Sequence, residues 1–207
     1  MPGRGDGRGY HHGNLKETLV EAALKLISEK GPRGFTFAEA AREAGVTPAA
    51  PYRHFKNRDE LIEEVARRGF ETFLGGLEQI SGPDDSPVDA FYDANSTYLA
   101  FAQSNPGYYI AMFEAGVNID GNPGLKLAAG RALDALEAAV GRMFENMPEE
   151  SRPPAAMVAH HIWALCHGIA TLFTLGRPGE RVAQDADKML RNATKIYLRG
   201  LGLDVDG

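Results

Sequence analysis

The stretch from Thr36 to Phe55, TFAEAAREAGVTPAAPYRHF, most restricts what this chain can become. Thr36 is a natural helix N-cap, and Glu39 three positions later completes a capping-box pattern. Ala38, Ala40, Ala41 and Ala44 are small and let a second helix approach closely. Gly45 falls where the first helix must stop, because glycine accepts the left-handed conformation such a stop uses. Val46 plugs the angle, and Thr47-Pro48 restarts a helix with a capping hydroxyl and a first-turn proline. Helix, glycine turn and capped helix make the helix-turn-helix pattern, whose second helix enters the DNA major groove. An ordinary helical hairpin has the same outline, so the neighbouring residues must separate the two.

Charge is distributed in a way that fits a local DNA contact. The chain of 207 residues carries a net charge of -6, which argues against a general nucleic-acid coat protein. Residues 1–68 hold 12 Lys and Arg against 10 Asp and Glu, whereas residues 69–207 hold 10 against 18. A near-neutral head on an acidic body confines attraction for phosphate to the head. A chance asymmetry would look the same. The single cysteine, Cys166, excludes an internal disulfide framework and a cysteine-based zinc site. No apolar run reads as long enough to span a bilayer, and the N-terminus lacks a signal-peptide core. The expected location is the cytoplasm.

Residues 1–9 are glycine-rich, and Arg4 and Arg8 there either reach phosphate or lie in solvent. Asn14 can cap a first helix over 14–30, with Leu15, Leu19, Ala22, Ala23, Leu26 and Ile27 at helical spacing. Gly31-Pro32 ends it, and Phe35 and Phe37 add bulk for a small three-helix core. Asn57 can cap a long helix to about residue 77, apolar on more than one side toward its end. Loops at 81–87, 105–107, 116–123 and 176–179 are marked by Pro, Gly, Asn and Asp. Between and after them, helices are expected over 87–103, 108–113, 123–146, 154–175 and 181–201. No useful strand-like alternation appears. The chain reads as all-α with about nine helices: an N-terminal head over 1–57 and a larger helical domain over 58–207.

Tyr52-Arg53-His54-Phe55-Lys56-Asn57-Arg58-Asp59-Glu60-Leu61 resembles the TetR/AcrR family of bacterial transcriptional regulators. Tyr10-His11-His12-Gly13-Asn14-Leu15 resembles one branch of it. Trp163-Ala164-Leu165-Cys166-His167-Gly168 is similar to the Trp-x-x-x-His-Gly signature of a WHG-type TetR C-terminal domain. The resemblance implies a homodimer of nine-helix subunits, with double-stranded operator DNA and a small-molecule effector as partners and no cofactor. It implies repression relieved by the effector, each head docking one half-site of a pseudo-palindrome. The long helix starting at Asn57 would couple the two regions by a population shift. A regulator without an effector, acting as an activator or architectural protein, and an enzyme housed in the body are the alternatives.

Carried over residue by residue, the resemblance places Thr36 on phosphate and Thr47, Pro48, Ala49 and Ala50 against base edges. These four are small and offer methyl contacts rather than strong hydrogen bonds. Arg53 is the long donor on the recognition helix, for a guanine or a phosphate. Tyr52 and His54 match backbone-contacting positions, and Lys56 and Arg58 match phosphate-contacting ones. Pro51 departs from the usual bulky aliphatic residue, and its ring crowds the carbonyl four residues back. A tightened or displaced first turn is therefore expected.

Catalysis and metal binding find little support. His160 and His161 are adjacent and point about 100° apart on a helix. Cys166-His167 lacks facing geometry and a third partner, and no phosphate-binding or dinucleotide fingerprint is present. Trp163 and His167 share a helix face, where they either line an effector cavity or pack as core. Phe70, Phe73, Tyr98, Tyr109, Phe113 and Met143 are further cavity candidates, each equally at home in a core. For the dimer surface, Ala164, Gly168 and Thr171 would allow close helix crossing. Ala186, Met189, Leu190, Ala193, Ile196 and Tyr197 form the stripe expected on the last helix. The competing reading has both stripes facing their own subunit.

Overall fold

The computed structural model describes residues 15–79, 86–174, 185–203 and 205. The proposed cap Asn14, the Tyr10–Gly13 approach, Arg4, Arg8 and the break at 176–179 lie outside the described residues. The architecture is all-α, with no strand among the described residues. The helices are α1 (Leu15–Lys30), α2 (Phe37–Glu43), α3 (Arg58–Leu77), α4 (Pro87–Ser104), α5 (Pro106–Phe113), α6 (Pro123–Met143), α7 (Ala155–Thr174) and α8 (Ala186–Gly200). Two 3₁₀ turns, Ala50–Arg53 and Glu149–Ser151, complete the described elements.

Local chemistry sets the helix ends. The capping box at α2 is complete: Glu39 N–H donates to Thr36 Oγ1 at 3.2 Å, and Thr36 N–H donates to Glu39 Oε2 at 2.8 Å. These bonds hold the Glu39 carboxyl below its ordinary range. Gly45 takes a φ of +70°, and Val46 N–H closes the turn on the Ala41 carbonyl. Asn57 caps α3 through Glu60 N–H at 2.9 Å. Glu60 does not return the bond to Asn57; its carboxylate accepts from Lys56 N–H.

Where the sequence predicts a full recognition helix from Thr47, the structure has a single 3₁₀ turn over Ala50–Arg53. This leaves eight α-helices among the described residues. The reason lies in Pro51, which has no N–H to donate to the Thr47 carbonyl four residues back. That carbonyl instead accepts from Ala50 N–H at 3.0 Å, the tighter 3₁₀ pairing. Thr47 does not cap the turn. Pro51 is itself buried, so its ring serves as packing against the head core.

Two apolar cores run through the described residues. The first begins in the head with Leu19, Ile27, Phe35, Ala40, Phe55 and Val65 and continues to Phe70, Ala111, Met112 and Leu125. Burial therefore does not part at residue 57. The second joins α4, α6, α7 and α8 through Phe91, Val140, Phe144, Ile162, Leu190 and Leu198. Phe73 and Phe113 pack against both cores. Gly107 lets α5 sit flat on α1: a Cβ there would lie 2.4 Å from Ser28 Oγ and 2.7 Å from the Leu24 carbonyl oxygen.

α7 corrects one expectation. Residues Ala155–Phe173 are long and apolar enough, by length and composition, to cross a membrane. Only a third of that stretch is buried within the chain. His160, His161 and His167 interrupt it.

Candidate functional site

The head presents a continuous exposed surface around the 3₁₀ turn. Thr47, Pro48, Ala49, Tyr52, Arg53, His54 and Lys56 are exposed, and Ala50 is half-buried. Tyr52 is 65% exposed, held by an edge-on contact with Phe37 at 5.0 Å between ring centres. The contact with Phe37 fixes the ring at its root and leaves the hydroxyl end toward solvent.

The described cations of the head and of the first part of α3 divide into two sets. Lys16, Lys25, Lys30, Arg58, Arg67 and Arg68 are ion-paired within the chain. Arg33, Arg42, Arg53 and Lys56 make no ion pair among the described residues. Arg42, at the end of α2, was not singled out from the sequence. Its exposure and its lack of an ion pair emerge only from the fold. Two expected phosphate contacts are otherwise engaged. Arg58 donates to the Phe35 carbonyl at 3.3 Å and pairs with Asp59, with its guanidinium over the Phe35 ring. The Thr36 N–H and hydroxyl both turn to Glu39.

Behind this surface, α1 and α3 are tied by charge. Glu64 accepts from Arg67 at 2.8 Å, from Arg68 at 3.1 Å and from Lys16 at 3.0 Å. Burial alone would raise its pKa, but these hydrogen bonds outweigh it and bring it down to about 2. Arg68 also forks onto Glu17 of α1. α3 thus starts in the exposed head surface, crosses this charge cluster, and ends on a cavity.

The cavity, about 560 Å³, lies at the seam of the two cores. α3 supplies Phe70, Phe73, Leu74 and Leu77, α4 supplies Asn95 and Tyr98, and α5 supplies Met112 and Phe113. α6 contributes a long face from Lys126 to Arg142, and α7 adds Trp163 and Cys166. Of the aromatic and Met candidates, Phe70, Phe73, Tyr98, Phe113 and Trp163 form the wall. Tyr109, Met143 and His167 lie outside it. Met143 is buried in the second core. Tyr109 and His167 stand behind the wall, where both the Tyr98 and Tyr109 hydroxyls converge on His167 Nδ1, at 3.1 and 2.9 Å. Thr171 Oγ1 joins Tyr109 Oη at 3.3 Å, so this residue turns inward. Burial lowers the His167 pKa and raises those of both tyrosines, which keeps the network uncharged. Cys166 is pushed up to about 12 by burial, a thiol rather than a nucleophile.

Leu74, Leu77, Met112, Cys166 and the α6 face were not among the residues singled out from the sequence as cavity candidates, and neither was Asn95, the buried polar one. It sits among Phe91, Tyr98, Leu99 and Ala102 on the apolar stripe of α4, and a polar residue in such a stripe was the available signal. It is 5% exposed. Its Oδ1 accepts from the Cys166 thiol at 3.6 Å, while Nδ2 has no partner among the described residues.

On the far side, α7 and α8 expose an apolar face. Met157, Ala164, Gly168 and Leu172 are exposed along α7, and Ile196 on α8 is 73% exposed. Met189, Ala193 and Tyr197 are half-buried beside it, with Tyr197 Oη 2.7 Å from His161 Nδ1. Ala186 and Leu190, expected on the same stripe, are buried in their own subunit's core with Thr194 and Leu198. The inward row runs at every fourth residue, which turns Ile196 outward. No group of three or more His, Cys, Asp or Glu suited to a metal occurs among the described residues.

Comparison with known proteins agrees with this geometry. Residues 19–65 match the family described as "Bacterial regulatory proteins, tetR family". Residues 91–196, half of the chain, match "Tetracyclin repressor-like, C-terminal domain", a segment that includes Trp163 to Gly168. The HTH-type transcriptional regulator BetI of Brucella anthropi is 25% identical over 89% of this chain and 94% of its own length. The chain spans only about half the length of several other curated relatives that it matches. A solved protein of unknown function from Rhodococcus sp. RHA1 superposes with a TM-score of 0.77, at 25% identity, over 93% of this chain and 98% of that one. FadR of Bacillus subtilis, solved in complex with stearoyl-CoA, shares the fold at a TM-score of 0.73 and 13% identity, over 89% and 98% of the two chains. From exposed helix-turn-helix head to helical body, this chain belongs to the TetR family of bacterial transcriptional regulators.

Proposed function

We propose that the protein is a dimeric repressor that a small molecule releases from a pseudo-palindromic operator. The observation that carries this reading is the path of α3, which runs unbroken from its cap Asn57, beside the exposed head surface, to the cavity wall at Phe70–Leu77. A ligand that pushes on Phe73 or Leu77 acts on the same rigid element that positions Lys56 and the 3₁₀ turn. The FadR neighbour, solved with stearoyl-CoA, supports a ligand role for the body of such a fold. As in other bacterial regulators of this family, the site of action is the cytoplasm.

In this reading, residues 1–57 form the DNA-binding unit and the rest the effector and dimer unit, joined through the shared core. Arg53 reads a base, and Thr47, Pro48, Ala49 and Ala50 face the groove with methyl-sized contacts. Tyr52, His54, Lys56 and the exposed Arg42 meet phosphate. Thr36 and Arg58 hold the head together instead. The second copy of the chain covers Met157, Ala164, Gly168, Leu172 and Ile196. That face is continuous over two helices, and isologous contact hides its apolar surface.

A gel shift on operator DNA selected from a random pool tests the head assignment. Lys56→Ala should weaken binding alike on all sequences and reduce the salt slope by about 1, whereas Arg53→Ala should relax preference at one position. Unchanged affinity in both variants overturns the assignment. Release of wild-type protein by a cavity ligand, without loss of the dimer, tests the effector step.

A further inference from the structure

The cavity has a shape and, among its described wall residues, one buried polar group without a partner, which together define a class of ligand. Lys126 and Arg142, both on its wall, are 16 residues apart on α6, roughly 24 Å at 1.5 Å per residue. A volume of about 560 Å³ drawn out over that length suits a chain-like molecule rather than a compact ring system. α6 makes the length possible with alanines at 129, 132, 135 and 139, which leave space where larger side chains would fill it. Charge is kept to exposed wall positions. Lys126 pairs with Asp120 at 2.9 Å, and exposed Glu78 and Arg142 are of opposite sign. Among the described residues the interior therefore offers no buried cation or anion, and a charged group drawn inside would lose its hydration without repayment.

One interior group is left unsatisfied. Asn95, 5% exposed and on the wall, has a side-chain N–H₂ with no acceptor among the described residues, while its oxygen is used by Cys166. A buried amide donor without a partner costs stability, and an acceptor supplied by a ligand would recover it. We infer that the cavity binds an uncharged, chain-like, predominantly apolar molecule with a carbonyl, ester or ether oxygen along its length, taken by the Asn95 amide. This deepens, and rests on, the reading of the cavity as the effector site.

The chain has a single tryptophan, Trp163, and it lies on the cavity wall, so intrinsic fluorescence of the full-length protein reports occupancy directly. Titrations with 6-undecanone, n-undecane and undecanoate compare the same chain length with a neutral acceptor, no acceptor and a charge. The ketone should bind about tenfold more tightly than the alkane, the scale of one hydrogen bond made in a dry site. Undecanoate should bind least. Asn95→Leu should abolish the preference for the ketone and leave alkane binding in place; Asn95→Ala, which is smaller than asparagine, gives the same comparison if leucine prevents folding. Equal binding of ketone and alkane, tightest binding of undecanoate, no fluorescence response to any probe, or a ketone preference that survives both substitutions overturns the inference. If the ketone binds as stated but leaves operator DNA bound at saturation, the ligand class stands and the effector reading falls. If another molecule releases the DNA without displacing the ketone, the ligand class is wrong and effector control stands.

Discussion

The hydroxyl of Tyr109 lies 2.9 Å from Nδ1 of His167, and the two rings stack with centres 5.6 Å apart and planes 22° from parallel. Tyr109 is fully buried and also reaches Thr171, so one hydroxyl of α5 makes two polar contacts with α7 in an otherwise apolar region. Tyr109→Phe should destabilise the fold by about 1–2 kcal/mol, read as a lower urea midpoint. Burial lowers the His167 pKa below its ordinary 6.5. The unfolded chain then takes up this proton first. The contribution is complete above about pH 6.5 and declines as pH falls toward the folded-state value. Replacing His167 with Phe should flatten that part of the stability profile.

Pro51 shapes the recognition turn by withholding an N–H from the Thr47 carbonyl. Pro51→Leu restores the donor and keeps an apolar side chain at a buried position. The expected result is a longer helical turn after Val46 and an altered base preference in DNA selection. An unchanged preference would show that the 3₁₀ geometry is not what sets base contacts.

Gly107 has no room for a side chain, because its missing Cβ faces the Leu24 carbonyl and Ser28 Oγ. Gly107→Val should push α5 away from α1 and cost about 1–3 kcal/mol, seen as a lower melting temperature. Because α5 also forms cavity wall through Met112 and Phe113, ligand binding should weaken in parallel.

Glu64 offers a pH test of the charge cluster joining α1 and α3. Its folded pKa of about 2 lies below the ordinary 4.5, so the unfolded chain binds the proton first as pH falls. The stabilisation is present above about pH 4.5 and is lost as pH drops toward 2. A tenfold change in an ionisation constant is worth about 1.4 kcal/mol, so after solvent screening the contribution is of order 2 kcal/mol. Glu64→Gln should lower the urea midpoint at pH 7 and approach wild type at pH 3.

Ile196 stands out of the chain on the α8 face next to the exposed α7 row. In the proposed symmetric dimer, Ile196→Glu would set a like charge from each subunit into the interface. Dimer dissociation, measured by sedimentation, should increase by about 100-fold or more. A variant that sediments as wild type would move the interface elsewhere.

The helical class, both ends of α2 and the cap of α3 were legible from residues alone, because each rests on short-range chemistry. Thr36 and Glu39 form their box within four residues, and Gly45 stops α2 through its own φ of +70°. Pro51 announced the displaced recognition turn for the same reason, since a missing N–H is a property of the residue. Tertiary structure decided what periodicity could not. It buried Ala186 and Leu190 in their own subunit while turning Ile196 outward, and it set Met143 into the core and Phe113 on the cavity. It took Arg58 for the head and left Arg42 without an ion pair among the described residues. It also brought Asn95 against Cys166, 71 positions away, and left one amide donor on an apolar wall unmatched among the described residues. Local pattern tells which residues are apolar or able to cap. Only the packed chain decides which of several apolar faces meets protein, ligand space or a second subunit.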